Sequence, residues 1–300
     1  MHKSLIYIIA LLMILNSCNE RESSNPHNWE IGTYTGVLSD FTQEQFNQLK
    51  SNGIKYIELG TATLVKMTPE ERIEWIENIK NLSEEAGIEV WSVHLPYSRT
   101  LDVSVTDSQL RENMINECSS IIELCSKLQP KKFIIHPSAE PIEDTEREQR
   151  IQHSIESLKV LNKTAQSFNA RLTVECLPRT CLGNTSEELL RIVNAVGNNV
   201  EICFDSNHLL KEKPEEFIAK AGNLITTIHI SDYDGLDEKH WLPGKGVINW
   251  TSVIKELSQH GYTGPFMFEV VPRNNPGMSI SSLKTSWEKL LNDYSQNMNQ

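Results

Sequence analysis

Basic residues are scarce in this sequence: 28 Lys and Arg stand against 40 Asp and Glu in 300 residues, a formal charge of −12. That balance argues against a surface built to track nucleic-acid phosphates, which calls for a basic patch or groove. Paired cysteines are also missing. With Cys18 set aside, Cys118, Cys125, Cys176, Cys181 and Cys203 show no C-x-x-C spacing, so neither a zinc ribbon nor a disulfide scaffold is expected. Cys118 and Cys125 share one face of a helical pattern but lie about 10 Å apart along its axis, beyond disulfide reach. There is no P-loop, and "IGTYTGVLSD" lacks the G-x-G-x-x-G spacing that a doubly wound nucleotide-binding sheet would want. The apolar run from Leu5 to Leu15 is too short to span a bilayer, which takes about 20 residues.

That run has another use. "MHKSLIYIIALLMILNSC" places Lys3 ahead of the apolar stretch and small or polar residues before Cys18, the layout of a secretory signal over residues 1–17. "LNSC" resembles a bacterial lipobox, which implies lipidation of Cys18 and an extracytoplasmic, membrane-anchored lipoprotein touching the membrane through its lipid alone. Residues 18–28 then read as the lipidated end and a polar tether.

A composition of 39% hydrophobic and 23% charged residues over the 300 residues suffices for one large core from Trp29 onward. Eight short β-rich runs recur: "IGTYTG", "IKYIELG", "IEVWSVHLP", "KKFIIHP", "RLTVECLP", "NVEICFD", "LITTIHISD" and "GPFMFEV". A helical pattern follows each. The plainest has Thr68 as N-cap, Pro69 as first helical residue and Gly87 as terminator, and "SEELLRIVNAVG" repeats the logic from Ser186 to Gly197. The others run from Thr42 to Asn52, Asp107 to Leu128, Glu143 to Phe168, Pro214 to Gly222, Asn249 to Gly261 and Ser279 to Leu291. Eight strand–helix units in one uninterrupted stretch predict an α/β fold, a single (β/α)8 TIM barrel over residues 29–300. Helix faces such as "IIELCSKL" suit barrel packing first and a dimer contact second, which leaves an oligomer open.

In such a barrel the C-terminal strand ends floor the site, so polar residues there are read as chemistry. Strand three ends at His94, four at His136, five at Glu175, six at Asp205 with His208 just beyond, seven at His229 and eight at Glu269. Singly, each has an ordinary explanation: a lone His is usually a hydrogen-bonded core residue, and Glu58 in "YIELG" suits a pair with a helix-borne Lys. Together they converge on one mouth, and so much uncompensated polarity is costly to bury without a cation. Glu175, Asp205, His229 and Glu269 are therefore the expected metal set. Tyr34, Tyr97, Tyr233 and Trp241 lie in or beside the exit loops, where a sugar face or plain packing would use them. Arg179, Lys211 and Lys245 read as isolated surface charges. The glycines of "PGKG" predict a tight loop whose backbone approaches substrate or metal.

"TVECLP", "FDSNH", "HISD", "HWLPGKG" and "MFEV", in that order, resemble the xylose isomerase-like barrel superfamily, which holds sugar isomerases, ketose 3-epimerases and endonuclease IV. The resemblance covers nearly all of residues 29–300. It implies one divalent metal, Mn2+, Co2+, Mg2+ or Zn2+, on Glu175, Asp205, His229 and Glu269. Glu175 and Glu269 would be the catalytic pair, moving a proton α to a sugar carbonyl through an enediolate, with His208 reaching a small carbohydrate substrate. By the nuclease branch of the resemblance, His94 and His136, and His208 with Glu238 and His240, are further metal ligands. Otherwise His94 and His136 are substrate contacts, groups that support the metal ligands from behind, or a second metal site. Glu238 departs from the Asp that branch carries.

Three alternatives stay open at this level. A lyase or hydratase acting beside a 3-keto group of a glycoside would share the proton abstraction. A non-catalytic sugar- or metal-binding lipoprotein would bind without turnover. A nuclease would have to overcome the acidic field and the lack of a basic groove.

Overall fold

A computed structural model of the protein describes residues 22–298. The expected signal over 1–17 and the expected lipidation site at Cys18 lie outside the described residues. Eight strands alternate with eight α-helices: β1 Ile31–Tyr34, α1 Gln43–Ser51, β2 Ile54–Gly60, α2 Pro69–Ala86, β3 Glu89–His94, α3 Ser108–Cys125, β4 Lys132–Ile135, α4 Asp144–Ser167, β5 Arg171–Glu175, α5 Ser186–Val196, β6 Glu201–Asp205, α6 Pro214–Ala221, β7 Ile225–His229, α7 Trp250–Gln259, β8 Phe266–Phe268 and α8 Ile280–Met298. Neighbouring strands pair in parallel in the order β7-β6-β5-β4-β3-β2-β1-β8. Just past β7, the Ile230 N–H donates to the Met267 carbonyl at 2.8 Å and the Glu269 N–H donates to the Ile230 carbonyl at 3.0 Å, which nearly closes the ring. The expected TIM barrel is the fold.

Local sequence chemistry accounts for the helix boundaries. Thr68 and Glu71 form a reciprocal capping box before Pro69, and Gly87 ends α2 at φ 67°, a left-handed conformation that a side chain would strain. The cap of α5 is Thr185, one residue earlier than the sequence reading, because its side chain accepts from the Glu188 N–H. Helix α8 runs past Leu291 to Met298, since no Gly or Pro stands there to stop it. Ile121, Ile122 and Cys125 of "IIELCSKL" are fully covered within the single chain, so this face serves barrel packing. All five cysteines among the described residues are buried and free.

Part of the polar stretch before Trp29 is docked on the barrel. The Ser24 N–H donates to the Ser258 carbonyl at 2.8 Å and His27 contacts Ser295 at 3.1 Å, which lays Ser24–Asn28 along α7 and α8. Both helices end at the N-terminal face of the barrel, opposite the strand ends that carry the polar residues. Trp29 closes that face: it is 5% exposed, stacks on Trp287 with ring centroids 6.1 Å apart, meets Tyr262 edge-on at 5.2 Å and donates its indole N–H to the Tyr262 carbonyl at 2.9 Å. Removing it leaves a large cavity and an unpaired carbonyl. Trp29→Ala is expected to lower stability by about 3–5 kcal/mol in urea denaturation; a loss below ~1 kcal/mol would contradict this role.

Candidate metal centre

The parallel register lifts one polar side chain per strand to the same level. Glu175, Asp205 and His229 are the last residues of β5, β6 and β7, His94 is the last of β3, and His136 and Glu269 stand one residue beyond β4 and β8. Apolar neighbours fix the strands below them: Val174, Phe204, Ile228 and Phe268 are fully buried. Glu175, Asp205 and His229 are themselves fully buried.

Three donor groups result. Ligand-type atoms of Glu175, Asp205, His229 and Glu269 lie within 4.8 Å of one another, as do those of His94, His136 and Glu175, and those of His208, Glu238 and His240. His229 Nδ1 faces Glu175 Oε1 at 3.1 Å, Glu269 Oε2 at 3.3 Å and Asp205 Oδ2 at 3.9 Å. The other oxygen of Glu175 meets His94 Nε2 at 3.0 Å and His136 Nε2 at 3.1 Å. His208 Nε2 lies 2.9 Å from Glu238 Oε1.

The donor set fits a divalent cation on the structure's own terms. Asp205 Oδ2 and Glu269 Oε2 are buried with no aligned hydrogen-bond donor, although both point at the Glu175–His229 pair. An uncompensated pair of this kind costs several kcal/mol unless a cation serves it. Imidazole tautomers agree. His94 Nδ1 bonds the Leu95 carbonyl at 2.9 Å, His208 Nδ1 the Cys176 carbonyl at 3.0 Å and His240 Nδ1 the Glu269 carbonyl at 3.1 Å. A carbonyl only accepts, so each Nδ1 carries the hydrogen and each Nε2 offers its lone pair to the mouth when the ring is neutral.

Protonation in the metal-free cluster follows from the same contacts. Burial raises Asp205 well above its ordinary value, with His208 opposing the shift and Glu269 and Glu175 adding to it. Burial also opposes ionisation of Glu175, but His229, His136 and His208 outweigh it and hold Glu175 well below its usual range. Glu269 is likewise held low, burial being overcome by His229. For His208 and His229, burial alone would lower the pKa, yet the facing carboxylates hold both well above the ordinary imidazole range. Burial wins at His136, which is lowered.

Several sequence expectations need correction. Glu58 pairs with no lysine: it is fully buried, takes the Ser92 hydroxyl at 2.6 Å and lies 2.8 Å from His229 Nε2, off the line of a straight hydrogen bond. It stands behind His229 as carboxylates commonly stand behind metal-binding imidazoles. Arg179 is not an isolated surface charge, since it contacts Glu140, Asp237 and Glu238. The "PGKG" loop wraps the buried Asp232 carboxylate, which accepts from the Gly244 N–H, the Ile248 N–H and the Trp250 indole. Gly246 is required there because a Cβ would lie 2.1 Å from the Tyr233 carbonyl.

Of the aromatics, Tyr97 lines the mouth, its ring stacked on His136 with centroids 3.7 Å apart. Tyr34 instead packs over Gly60 and its hydroxyl is pushed up to about 12 by burial and by Glu269 and Glu58. Trp241 pairs its main chain with Asp232, and Tyr233 donates its hydroxyl to the Leu209 carbonyl. Asn207 and Asn275 were not singled out in the sequence. Asn207 Oδ1 accepts from the Lys239 and His240 N–H groups and Asn275 Nδ2 donates to the His240 carbonyl, which together hold His240 at φ 48°. The motif "FDSNH" contained Asn207, but nothing local marked its distant partners.

The sequence profile of the xylose isomerase-like TIM barrel family matches residues 46–290. The chain belongs to this family. A curated relative, an uncharacterized protein of Methanocaldococcus jannaschii, is 27% identical over 202 residues, 65% of this chain and 68% of the relative. Among solved structures, a D-tagatose 3-epimerase-like protein superposes with TM-score 0.77 at 22% identity, covering 90% of this chain and 99% of its own. A 3-keto-D-glucoside 4-epimerase from E. coli superposes with TM-score 0.70 at 18% identity, covering 88% and 99%. At these identities the superpositions establish the shared family fold.

The Glu58 contact and the raised imidazoles yield a joint prediction. Glu58→Gln is expected to weaken Mn2+ binding about 10–100-fold by competition with a chromophoric chelator. Because the assigned ligand His229 is held well above the ordinary imidazole range, cation binding must expel its proton. Affinity should therefore keep rising as pH increases past that range, with proton release seen by calorimetry in two buffers. Unchanged affinity in the variant, or no proton release, would count against the assignment.

Proposed function

We propose that this chain is a divalent-metal-dependent enzyme of the isomerase or epimerase kind, moving a proton α to the carbonyl of a small carbohydrate. The observation that carries the reading is that Glu175 and Glu269, set either side of His229, line one cavity of about 270 Å³ together with His136, His208, His240 and Tyr97. That volume suits a monosaccharide-sized ligand. The family fold, shared with sugar epimerases of known structure, supports it.

Glu175, Asp205, His229 and Glu269 are the residues that would hold the metal. Bound there, it would supply Lewis-acid polarisation of the substrate carbonyl. Glu269, at the mouth and held ionised beside His229, is placed to take the proton. Glu175, in contact with four imidazoles, would return one from the other side of the substrate, after receiving it from an imidazole such as His94, whose Nε2 lies 3.0 Å away. His208 and Tyr97 would position the sugar.

A second reading rests on the two remaining donor groups. His94, His136 and Glu175, with His208, Glu238 and His240, offer more ligand positions than one proton transfer needs, and clustered cations are suited to hydrolysis of a phosphate ester. Exchange in deuterated water separates the two. With a panel of ketoses, aldoses and 3-keto-glycosides, metal-dependent C–H exchange should fall at least ~100-fold in Glu175→Gln and in Glu269→Gln. Lack of exchange in the metal-loaded wild type, with turnover of a phosphodiester instead, would favour hydrolysis.

We also propose that the protein is a lipoprotein anchored at Cys18. Ser24–Asn28 docks on the face opposite the mouth, an arrangement that would leave the site open away from the membrane. Membrane fractionation checks this: Cys18→Ser should move the protein to the soluble fraction, and retention in the membrane would contradict the anchor.

A further inference from the structure

Arg179 leaves β5 four residues after Glu175 with φ 48°, a left-handed backbone that a residue other than glycine adopts under strain. The strain is held in place by the Asn184 side-chain amide, which donates to the Arg179 carbonyl at 2.6 Å. It is also held by three carboxylates: Nε donates to Glu140 at 2.8 Å, and Nη1 donates to Asp237 at 2.7 Å and to Glu238 at 2.8 Å. These partners come from the loops after β4 and β7, so one guanidinium ties three loops of the mouth together. Nη2 makes no hydrogen bond among the described residues, and the residue lines the cavity that holds Glu175, His208 and Glu269.

A planar guanidinium fixed by two of its nitrogens presents the third as an oriented pair of N–H donors. Its charge is more than balanced by Glu140, Asp237 and Glu238. A phosphate arriving at Nη2 would come up against those carboxylates as like charges, whereas a hydroxyl would meet only the donors. Strained backbone maintained at the rim of a site is a pattern that accompanies ligand contact.

We propose that Arg179 is the substrate-anchoring residue of this mouth and that it selects an uncharged polyol over a phosphorylated sugar. The proposal rests on the carbohydrate reading given above. Arg99 is the rival anchor: it is exposed, lines the same cavity and has no carboxylate partner among the described residues, so a phosphate would choose it instead.

The test uses the metal-loaded protein and two readouts, direct binding by calorimetry and C–H exchange, with D-fructose and D-fructose 6-phosphate and the corresponding pair for each other ketohexose. The neutral member of a pair should bind at least tenfold more tightly than its phosphate ester. Arg179→Lys, which keeps the charge and loses the fork, should weaken neutral-sugar binding and raise KM at least tenfold while changing kcat far less, with metal content unchanged. Tighter binding of the phosphates, lost in Arg99→Ala and kept in Arg179→Lys, would overturn the proposal and leave the carbohydrate reading intact. Neutral-sugar binding that follows the expected pattern without any exchange would support Arg179 and remove the proton-transfer reading instead.

Discussion

A single buried carboxylate organises the mouth of this barrel. Glu175 is inaccessible to solvent and is approached by the imidazoles of His94, His136, His208 and His229 at 3.0 to 3.3 Å. A carboxylate removed from water survives as an anion only where neighbours replace its hydration. Here they do so by being directed inward from β3, β4, β6 and β7. The orientation of four histidines answers to that one charge. Because each oxygen of Glu175 faces a different set of partners, the residue joins two of the three donor groups.

Main-chain carbonyls do the rest of the positioning. Leu95, Cys176 and Glu269 each take an Nδ1–H and turn an Nε2 toward the mouth. Farther out, Asp232 gathers the loop after β7 around its carboxylate, Asn207 and Asn275 fix His240, and Arg179 pins Glu238. The site is therefore built outward from the rigid strand ends. Two of the left-handed non-glycine residues, Arg179 and His240, stand where a loop brings a side chain back over the cavity.

What the sequence makes legible follows from how local each signal is. Strand ends announce themselves because an apolar run closing on His or an acid is unusual, and alternation places that residue inside the barrel. The barrel was legible for the same reason, as were the caps at Thr68 and Gly87. The residues behind the site were not. Glu58 sits mid-strand, with nothing nearby to show that its partner is His229, 171 positions further on. Arg179 looks like any surface arginine until three loops close over it. The tether was read from polarity alone, and polarity does not reveal that the Ser24 N–H finds the Ser258 carbonyl.

The central claim is that Glu175, Asp205, His229 and Glu269 form a metal centre, and anomalous diffraction from crystals grown in Mn2+ tests it most directly. The account predicts a manganese peak enclosed by those four side chains, with Asp205 Oδ2 and Glu269 Oε2 as ligands. Crystals saturated with Mn2+ that show no peak there, or one bounded by other residues, would contradict it.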